Sequence, residues 1–278
     1  MKKKKKCIIC QGKKFRRVDR VDGVKFYECT QCFLAIHEGV STHNQKKNTY
    51  EERKYSAKFR EISTVIRNFV REGKVLETGP GYGIYASNFI EKKFKKDTSK
   101  QNLKYIYLSN EKYKVRIIQG DYEKFLNKNK ERFDLITFIG NFSAFRRPDL
   151  LLARTRQSLL DQGLVLILIP NYKSLMNGLS RKWSFWKPQS NKYHFSPDSI
   201  KKMLHNEKYK VKYFTTFETW RDMRRSLDNN FSNIHDAKKR IPLKTIFYIL
   251  FIPIYFLFRR LIWSMGYGAE LCVIASKS

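Results

Sequence analysis

The sequence predicts an α/β protein in which a doubly wound sheet follows a small N-terminal unit. Strand-like and helix-like stretches alternate over residues 73–218, as is typical of doubly wound domains. The clearest strand, Leu164 to Ile169, is an unbroken apolar run that Pro170 ends, and such strands are typical of parallel sheets covered on both faces. Four of the five cysteines lie within the first 32 residues and mark the N-terminal unit.

The composition indicates a folded protein with a strongly basic character. Hydrophobic residues make up 42% of the 278 residues, which excludes wholesale disorder. The 57 Lys and Arg residues outnumber the 25 Asp and Glu residues, giving a formal charge of +32. This charge indicates attraction to nucleic acid, anionic lipid or phosphorylated substrates without choosing among them. The codon bias of an AT-rich genome would also produce much of the lysine excess.

The cysteine spacing predicts a structural zinc site in a ribbon at residues 1–45. Cys7 and Cys10 form one C-x2-C pair, and Cys29 and Cys32 form a second pair after eighteen intervening residues. Four thiolates complete a tetrahedral shell around one ion and leave no position open for a substrate. Because the chain is lysine-rich and shows no secretory signal, a metal site in a reducing compartment is favoured over disulfides or redox thiols.

Apolar periodicity predicts the elements of the larger domain, residues 46–278. Residues 57–72 carry apolar side chains at spacings of three and four, which predicts an amphipathic helix that Gly73 ends. The other predicted elements are a strand at 75–77, a helix at 86–94, and strands at 115–118, 133–138, 164–169 and 271–275.

A glycine-rich turn follows the first of these strands. Glu77 is succeeded by Gly79, Gly81 and Gly83 at every second position, ahead of the predicted helix. Glycines let the backbone turn sharply and approach a ligand closely. The spacing differs from the G-x-G-x-x-G of dinucleotide sites, and a carboxylate at Glu77 would repel pyrophosphate but attract an ammonium group. A tight turn without a ligand would also account for the glycines.

The E-x-G-x-G-x-G stretch resembles the first motif of class I S-adenosylmethionine-dependent methyltransferases. The resemblance implies a Rossmann-like methyltransferase sheet whose cofactor pocket is lined by Glu77, Gly79, Gly81 and Gly83. Residues 46–218 and 267–276 carry the resemblance. A zinc ribbon ahead of such a domain also resembles bacterial methyltransferases of envelope-glycan biosynthesis.

Three further residues match positions that this family uses for its cofactor. The resemblance implies that Asp97, ending a short second strand, binds the ribose hydroxyls. It also implies that Asp121 meets the adenine amino group and that Tyr122 stacks on the adenine ring. For Asp97, a solvated position in a lysine-rich loop is the alternative.

His194 is the predicted catalytic residue. Many relatives carry a Glu-His pair after the fourth strand, but residues 140–148 of this chain do not contain one. His194 precedes Phe195 and Ser196 in a stretch that resembles the family and follows the fifth strand. It is expected to act as the base or to orient the acceptor. A histidine that satisfies backbone groups near a helix cap is the alternative.

A short apolar run lies before the last strand. Thr245 to Phe258 contains no charge and is flanked by Lys244 and by Arg259 and Arg260. The run is shorter than the about 20 residues that a membrane span needs, and Pro253 is expected to break it. An insertion at about residues 241–263 is therefore predicted to be a buried helix pair, a lid, a dimer contact or an interfacial anchor.

These observations favour methyl transfer to a small-molecule or lipid-linked acceptor that resembles an envelope glycan, at a hydroxyl. An RNA methyltransferase, favoured by the charge, is one alternative, and an inactive scaffold is another. The expected cofactors are S-adenosylmethionine and structural zinc. The expected location is cytoplasmic, with a peripheral position at an anionic membrane surface left open.

Overall fold

The computed structural model contains two sheets. It describes residues 6–21, 23–38, 64–66, 68–70, 73–78, 105–109, 114–118, 122–128, 130–180, 183–188, 191–232 and 234–278. The strands are β1 Phe15–Val21, β2 Val24–Cys29, β3 Ala35–Glu38, β4 Val75–Thr78, β5 Tyr105–Ser109, β6 Lys114–Ile118, β7 Phe133–Ile139, β8 Leu159–Pro170, β9 Tyr193–His194, β10 Tyr209–Phe217 and β11 Glu270–Lys277. The helices are α1 Tyr122–Lys128, α2 Pro148–Gln157, α3 Leu175–Leu179, α4 Pro197–Asn206, α5 Trp220–Asp228 and α6 Ala237–Ser264.

The larger sheet has seven described strands in the order β10-β11-β8-β7-β4-β5-β6. The prediction of an α/β methyltransferase-like sheet is confirmed, and the sheet is mixed. The central strands β4, β7 and β8 are parallel, whereas β11 is antiparallel to both of its neighbours. β5 and β6 are joined by only four residues, and so short a connection permits only an antiparallel pair.

The predicted second strand, which Asp97 ends, lies outside the described residues. β4 pairs with β7 on one side and with β5 on the other; the apolar pattern did not predict β5, which is antiparallel to β4. The predicted helix at 86–94 also lies outside the described residues. Of the predicted helix at 57–72, the described part is a helical turn at residues 64–66, with buried Ile66.

The strand β8 is one of the three parallel strands at the centre of the sheet. Its residues from Leu164 to Pro170 are buried on both faces, as its apolar sequence predicts. Leu135, Leu166 and Ile274 pack on one face, and Ile136, Ile167 and Val273 pack on the other. The two layers of the core therefore lie on opposite faces of β7, β8 and β11.

The N-terminal ribbon is joined to the larger domain by strand pairing. β1, β2 and β3 form an antiparallel sheet whose fourth strand is β9, with Ala35 opposite His194 and Ile36 opposite Tyr193. Three ribbon cysteines belong to the same apolar cluster as Phe195 and Leu204 of the larger domain. The ribbon thus shares a core with the domain that follows it.

The carboxylate of Glu28 provides a polar link at this junction. Glu28 is fully buried and lies 2.6 Å from the Lys173 ammonium group and 2.7 Å from the Arg16 guanidinium group. The Tyr172 hydroxyl also donates a hydrogen bond to it. Burial opposes ionisation, but the three donors outweigh it and lower the pKa of Glu28. Tyr172 and Lys173 directly follow β8, so this carboxylate ties the ribbon to the end of the central strand.

The apolar insertion forms one continuous helix between β10 and β11. The prediction that Pro253 breaks it is wrong, because α6 runs unbroken for 28 residues through both Pro242 and Pro253. A proline inside a helix costs about 3 kcal/mol. Phe251 and Tyr255, on either side of Pro253, pack against the body of the protein and offset that cost. Within the described part of the chain, α6 is the one helix whose length and composition would allow it to cross a membrane.

We predict that Glu28→Gln weakens the fold while a matched exposed substitution does not. Loss of the buried charge leaves Lys173 and Arg16 without their partner and should lower the free energy of unfolding by about 1–3 kcal/mol. The control is Glu131→Gln, because Glu131 is 45% exposed and pairs with Lys74 at 3.6 Å. It should change stability by less than about 0.5 kcal/mol. Equal unfolding midpoints of the two variants in urea would contradict a docking role for Glu28.

Candidate functional site

The two cysteine pairs form knuckles with the same backbone geometry. In the first, the Cys7 amide donates to the Gly12 carbonyl and the Gln11 amide donates to the Cys7 carbonyl. In the second, the Cys29 amide donates to the Leu34 carbonyl and the Phe33 amide donates to the Cys29 carbonyl. Gln11 and Phe33 both adopt the left-handed conformation, with φ of 59° and 56°. Each knuckle therefore points two thiols at the same place.

The four sulfur atoms are placed to hold one metal ion. The Cys7 and Cys32 sulfurs are 3.4 Å apart, as are those of Cys10 and Cys29, and all four lie within 4.8 Å of one another. A tetrahedral zinc site with Zn–S bonds of about 2.3 Å needs sulfurs roughly 3.8 Å apart. The donor set and spacing therefore fit zinc, in a closed structural site.

Gly12 lies where the two knuckles pack closely together. A Cβ at this position would lie 2.6 Å from the Gln31 Oε1 atom and 3.2 Å from the Cys10 sulfur. A side chain there would displace the end of the Gln31 side chain and crowd the Cys10 sulfur. The sequence analysis did not single out this role for Gly12.

Glu77 lies at the carboxyl edge of the central strands. It is 1% exposed near the end of β4 and stands beside Thr137 of β7. A carboxylate at this edge carries the charge that attracts the ammonium group of S-adenosylmethionine. Gly79, Gly81, Gly83, Asp97 and Asp121 lie outside the described residues. The cofactor roles of all six residues stay predictions.

Tyr122 begins α1 and points into the core. It is 3% exposed and its ring meets Phe138 edge to face, with ring centroids 5.6 Å apart. Burial raises its pKa well above the ordinary value of a tyrosine. Phe145 packs on the same ring at 6.2 Å. Stacking of Tyr122 on adenine stays a prediction.

His194 lies where the ribbon meets the larger domain. Its ring is 2% exposed and contacts Trp186 at 4.7 Å and Phe26 at 5.2 Å between centroids. Burial, together with the nearby His37, lowers the pKa of His194 to about 3. The imidazole is therefore neutral at physiological pH and can accept a hydrogen bond but holds a proton weakly. Its catalytic role stays a prediction.

The end of β8 also fixes the insertion. The Asn171 side-chain amide donates to the carbonyl groups of Gly266 and Gly268, both at 2.8 Å. The Leu175 amide donates to the Tyr267 carbonyl at 2.9 Å. The chain returning from α6 is thus held at the edge of the sheet to which the ribbon is attached.

Glu218 is a titratable residue that the sequence analysis missed. It directly follows β10 and is 6% exposed. Burial raises its pKa to about 8, and the charges of Asp222 and Glu270 add to the rise, whereas hydrogen bonds from Tyr255 and the Ala269 backbone oppose it. A carboxylic acid that titrates near neutrality can exchange a proton with a substrate. No local pattern in the sequence marked it, because its neighbours Tyr255 and Ala269 lie far along the chain.

The chain matches a family model described as a methyltransferase domain over residues 48–212. A search of curated proteins finds no significant match.

Similar solved structures share a low sequence identity with this chain. An S-adenosylmethionine-dependent methyltransferase of Archaeoglobus fulgidus is 16% identical, with 80% of this chain and 93% of that chain covered and a TM-score of 0.47. A Thermotoga maritima protein described as a possible histamine N-methyltransferase is 15% identical, with 82% and 94% covered and a TM-score of 0.45. A Clostridium acetobutylicum S-adenosylmethionine-dependent methyltransferase is 13% identical, with 83% and 93% covered and a TM-score of 0.42.

We predict one zinc ion per chain in protein purified without added metal, measured by elemental analysis. Cys10→Ser should lose the metal and unfold at a lower temperature, because the ligand sulfurs pack into the shared core. Cys272→Ser is the matched control, since Cys272 is buried in β11 and away from the knuckles. Less than about 0.2 zinc per wild-type chain would exclude the site.

We predict that Glu218→Gln removes a pH dependence of stability. Because the folded-state pKa of about 8 lies above the ordinary 4.5, the folded protein holds a proton that the unfolded chain releases. The stabilisation is complete below the unfolded pKa and is lost as the pH rises towards 8. Wild type should therefore lose about 1–3 kcal/mol relative to Glu218→Gln between about pH 5 and pH 8. Parallel pH profiles from urea titrations would rule out a raised pKa, and Glu131→Gln should follow wild type.

Proposed function

The chain belongs to the methyltransferase domain family and is an S-adenosylmethionine-dependent methyltransferase, and we propose that its acceptor is a small or lipid-linked molecule resembling an envelope glycan. The methyl group goes to a hydroxyl of this acceptor. The cofactor supplies a methyl group that is already activated as a sulfonium. The protein has to align the acceptor with that methyl group and accept the hydroxyl proton.

The position of α6 is the observation that carries this proposal. Ligands of open α/β sheets bind outside the carboxyl ends of the strands. α6 is inserted between β10 and β11 at that edge and is fastened to the end of β8 through Asn171. Its side chains Ile249, Leu250 and Leu257 are 65%, 64% and 76% exposed. An apolar surface beside the ligand edge suits an acceptor that carries its own lipid anchor.

The roles of the polar residues follow from their protonation. Glu77 is proposed to hold the cofactor's ammonium group. The pKa of His194, about 3, favours the role of orienting the acceptor over that of accepting a proton. The pKa of Glu218, about 8, gives it the greater affinity for a proton at the same edge of the sheet. We propose that Glu218 receives the hydroxyl proton.

Methylation of RNA is a second candidate function. The formal charge of +32 favours it, because phosphate contacts by lysine and arginine give strong, salt-dependent binding. Binding to RNA that falls steeply between low and physiological salt, together with methyl transfer to RNA, would support this alternative over the first.

The test begins with calorimetric binding of S-adenosylmethionine to the zinc-loaded protein. Wild type should bind, and Glu77→Gln and Asp97→Ala should each weaken binding at least about tenfold, or 1.4 kcal/mol. The control is Thr137→Val, because Thr137 lies beside Glu77 and its substitution removes no charge. It should leave cofactor binding largely unchanged. A folded wild-type protein that does not bind the cofactor would contradict the proposal.

Acceptors are then compared by transfer of a labelled methyl group. The label should enter the lipid fraction of a bacterial envelope extract. When the glycan is then cleaved from its lipid, the label should move to the aqueous fraction. His194→Ala should reduce turnover far more than cofactor affinity. Label that appears only in RNA, or only in water-soluble metabolites without a lipid anchor, would overturn the lipid-linked assignment.

A further inference from the structure

The outer face of α6 is a regular apolar stripe whose side chains are each at least half exposed. We call it the outer stripe, and its six members are Leu243, Ile246, Leu250, Ile254, Leu257 and Leu261. These follow one another at spacings of three and four, so they line one side of the helix. Their exposure ranges from 50% at Leu243 to 76% at Leu257. Exposed apolar surface of this regularity marks an interaction site.

The opposite face of α6 is anchored to the protein along most of its length. The Phe247 ring packs on Phe231 at 5.6 Å, and the Tyr248 hydroxyl donates to the Asp228 carboxylate at 2.7 Å. Towards the other end, the Thr216 hydroxyl donates to the Trp263 carbonyl at 2.7 Å. The packing side chains are therefore distinct from the outer stripe, and the stripe is not needed to hold the helix in place.

These contacts decide how α6 can meet a membrane. A 28-residue helix is about 42 Å long, which exceeds the about 30 Å of a hydrocarbon core. A spanning arrangement would put Lys238 and Arg260 on opposite sides of the bilayer. α6 is fastened to the body of the protein near its middle, where Tyr248 donates to Asp228, and near its C-terminal end, where the Trp263 carbonyl accepts a hydrogen bond from Thr216. The helix is therefore suited to lie in the plane of the interface, with its anchored face towards the protein.

The charges on α6 select the kind of partner. The helix contains no acidic residue, and Lys238, Lys239 and Arg260 are exposed near its ends. Arg259 is held over the rings of Phe256 and Trp263. A second copy of this basic chain would bring like charges together around the stripe, whereas anionic headgroups would neutralise them.

We propose that α6 docks flat on an anionic lipid surface through the outer stripe and the basic residues at its ends. Docking would hold the carboxyl edge of the sheet next to the headgroups, because the chain leaves α6 directly into the contacts with Asn171. The proposal concerns binding and does not require any particular acceptor. The vesicle experiment and the methyl-transfer experiment can therefore fail independently.

The first test is sedimentation of the zinc-loaded protein with vesicles at low salt. Wild type should sediment with vesicles of phosphatidylglycerol and phosphatidylcholine and stay in solution with phosphatidylcholine alone. Leu250→Asn combined with Leu257→Asn should weaken binding at least tenfold. The matched control combines Leu150→Asn and Leu160→Asn, two leucines that are 46% and 39% exposed away from α6. Circular dichroism melts check that all variants stay folded.

The second test distinguishes binding through the basic residues of α6 from binding through the net charge of the whole protein. Lys238→Gln with Lys239→Gln should weaken binding to the anionic vesicles roughly tenfold or more, at about 1 kcal/mol for each basic residue. Lys128→Gln with Lys130→Gln removes the same charge from another exposed surface and should have little effect. Equal losses in the two pairs would show that net charge alone drives binding and would overturn the proposal.

Three other outcomes would also overturn it. Wild type that stays in solution with anionic vesicles at low salt would exclude docking. A dimer that dissociates in the Leu250→Asn and Leu257→Asn variant, without vesicle binding by wild type, would assign the outer stripe to a second copy. Protein that high salt and alkaline carbonate cannot release from vesicles would indicate a spanning helix.

Discussion

Glu28 carries its charge at a position that water does not reach, and donors from two distant parts of the chain hold it there. Arg16 belongs to the ribbon, whereas Tyr172 and Lys173 follow the central strand β8. A buried carboxylate without such donors would cost several kcal/mol. The ribbon can therefore lie only where the end of β8 supplies them, and the pairing of β3 with β9 fixes its orientation. The position of the predicted zinc site relative to the sheet follows from this contact.

The end of β8 also receives the other accessory part of the protein. The Asn171 side-chain oxygen accepts a hydrogen bond from the Lys173 backbone amide, and its NH2 group donates two hydrogen bonds to the chain that returns from α6. Three consecutive residues thus hold both the ribbon and the insertion at the carboxyl edge of the sheet. In an open α/β sheet this is the edge at which ligands bind. The accessory elements therefore surround the place where an acceptor would approach the cofactor, and they can set its specificity without altering the sheet.

The sequence predicted those features that depend on local patterns. The cysteine spacing identified the four sulfurs that converge, and the apolar run at Leu164 to Ile169 identified β8. Features that depend on distant contacts were missed. Glu28 was not singled out, because two of its donors, Tyr172 and Lys173, lie far along the chain. Pro253 looked like a helix breaker, because the local cost of a proline is visible in the sequence and the packing of Phe251 and Tyr255 is not.

The two faces of α6 have different roles: the inner face packs against the protein, and the outer face is exposed. The inner face, with Tyr248 and Tyr255, already ties the helix to the protein through hydrogen bonds and aromatic contacts. Polar residues on the outer face would keep the same helix and would lower the risk of aggregation in water. The fold therefore gives no reason for leucine and isoleucine at every position of the outer stripe. Such a reason has to come from a surface that the stripe meets, and basic residues at both ends of the helix restrict that surface to one with negative charge.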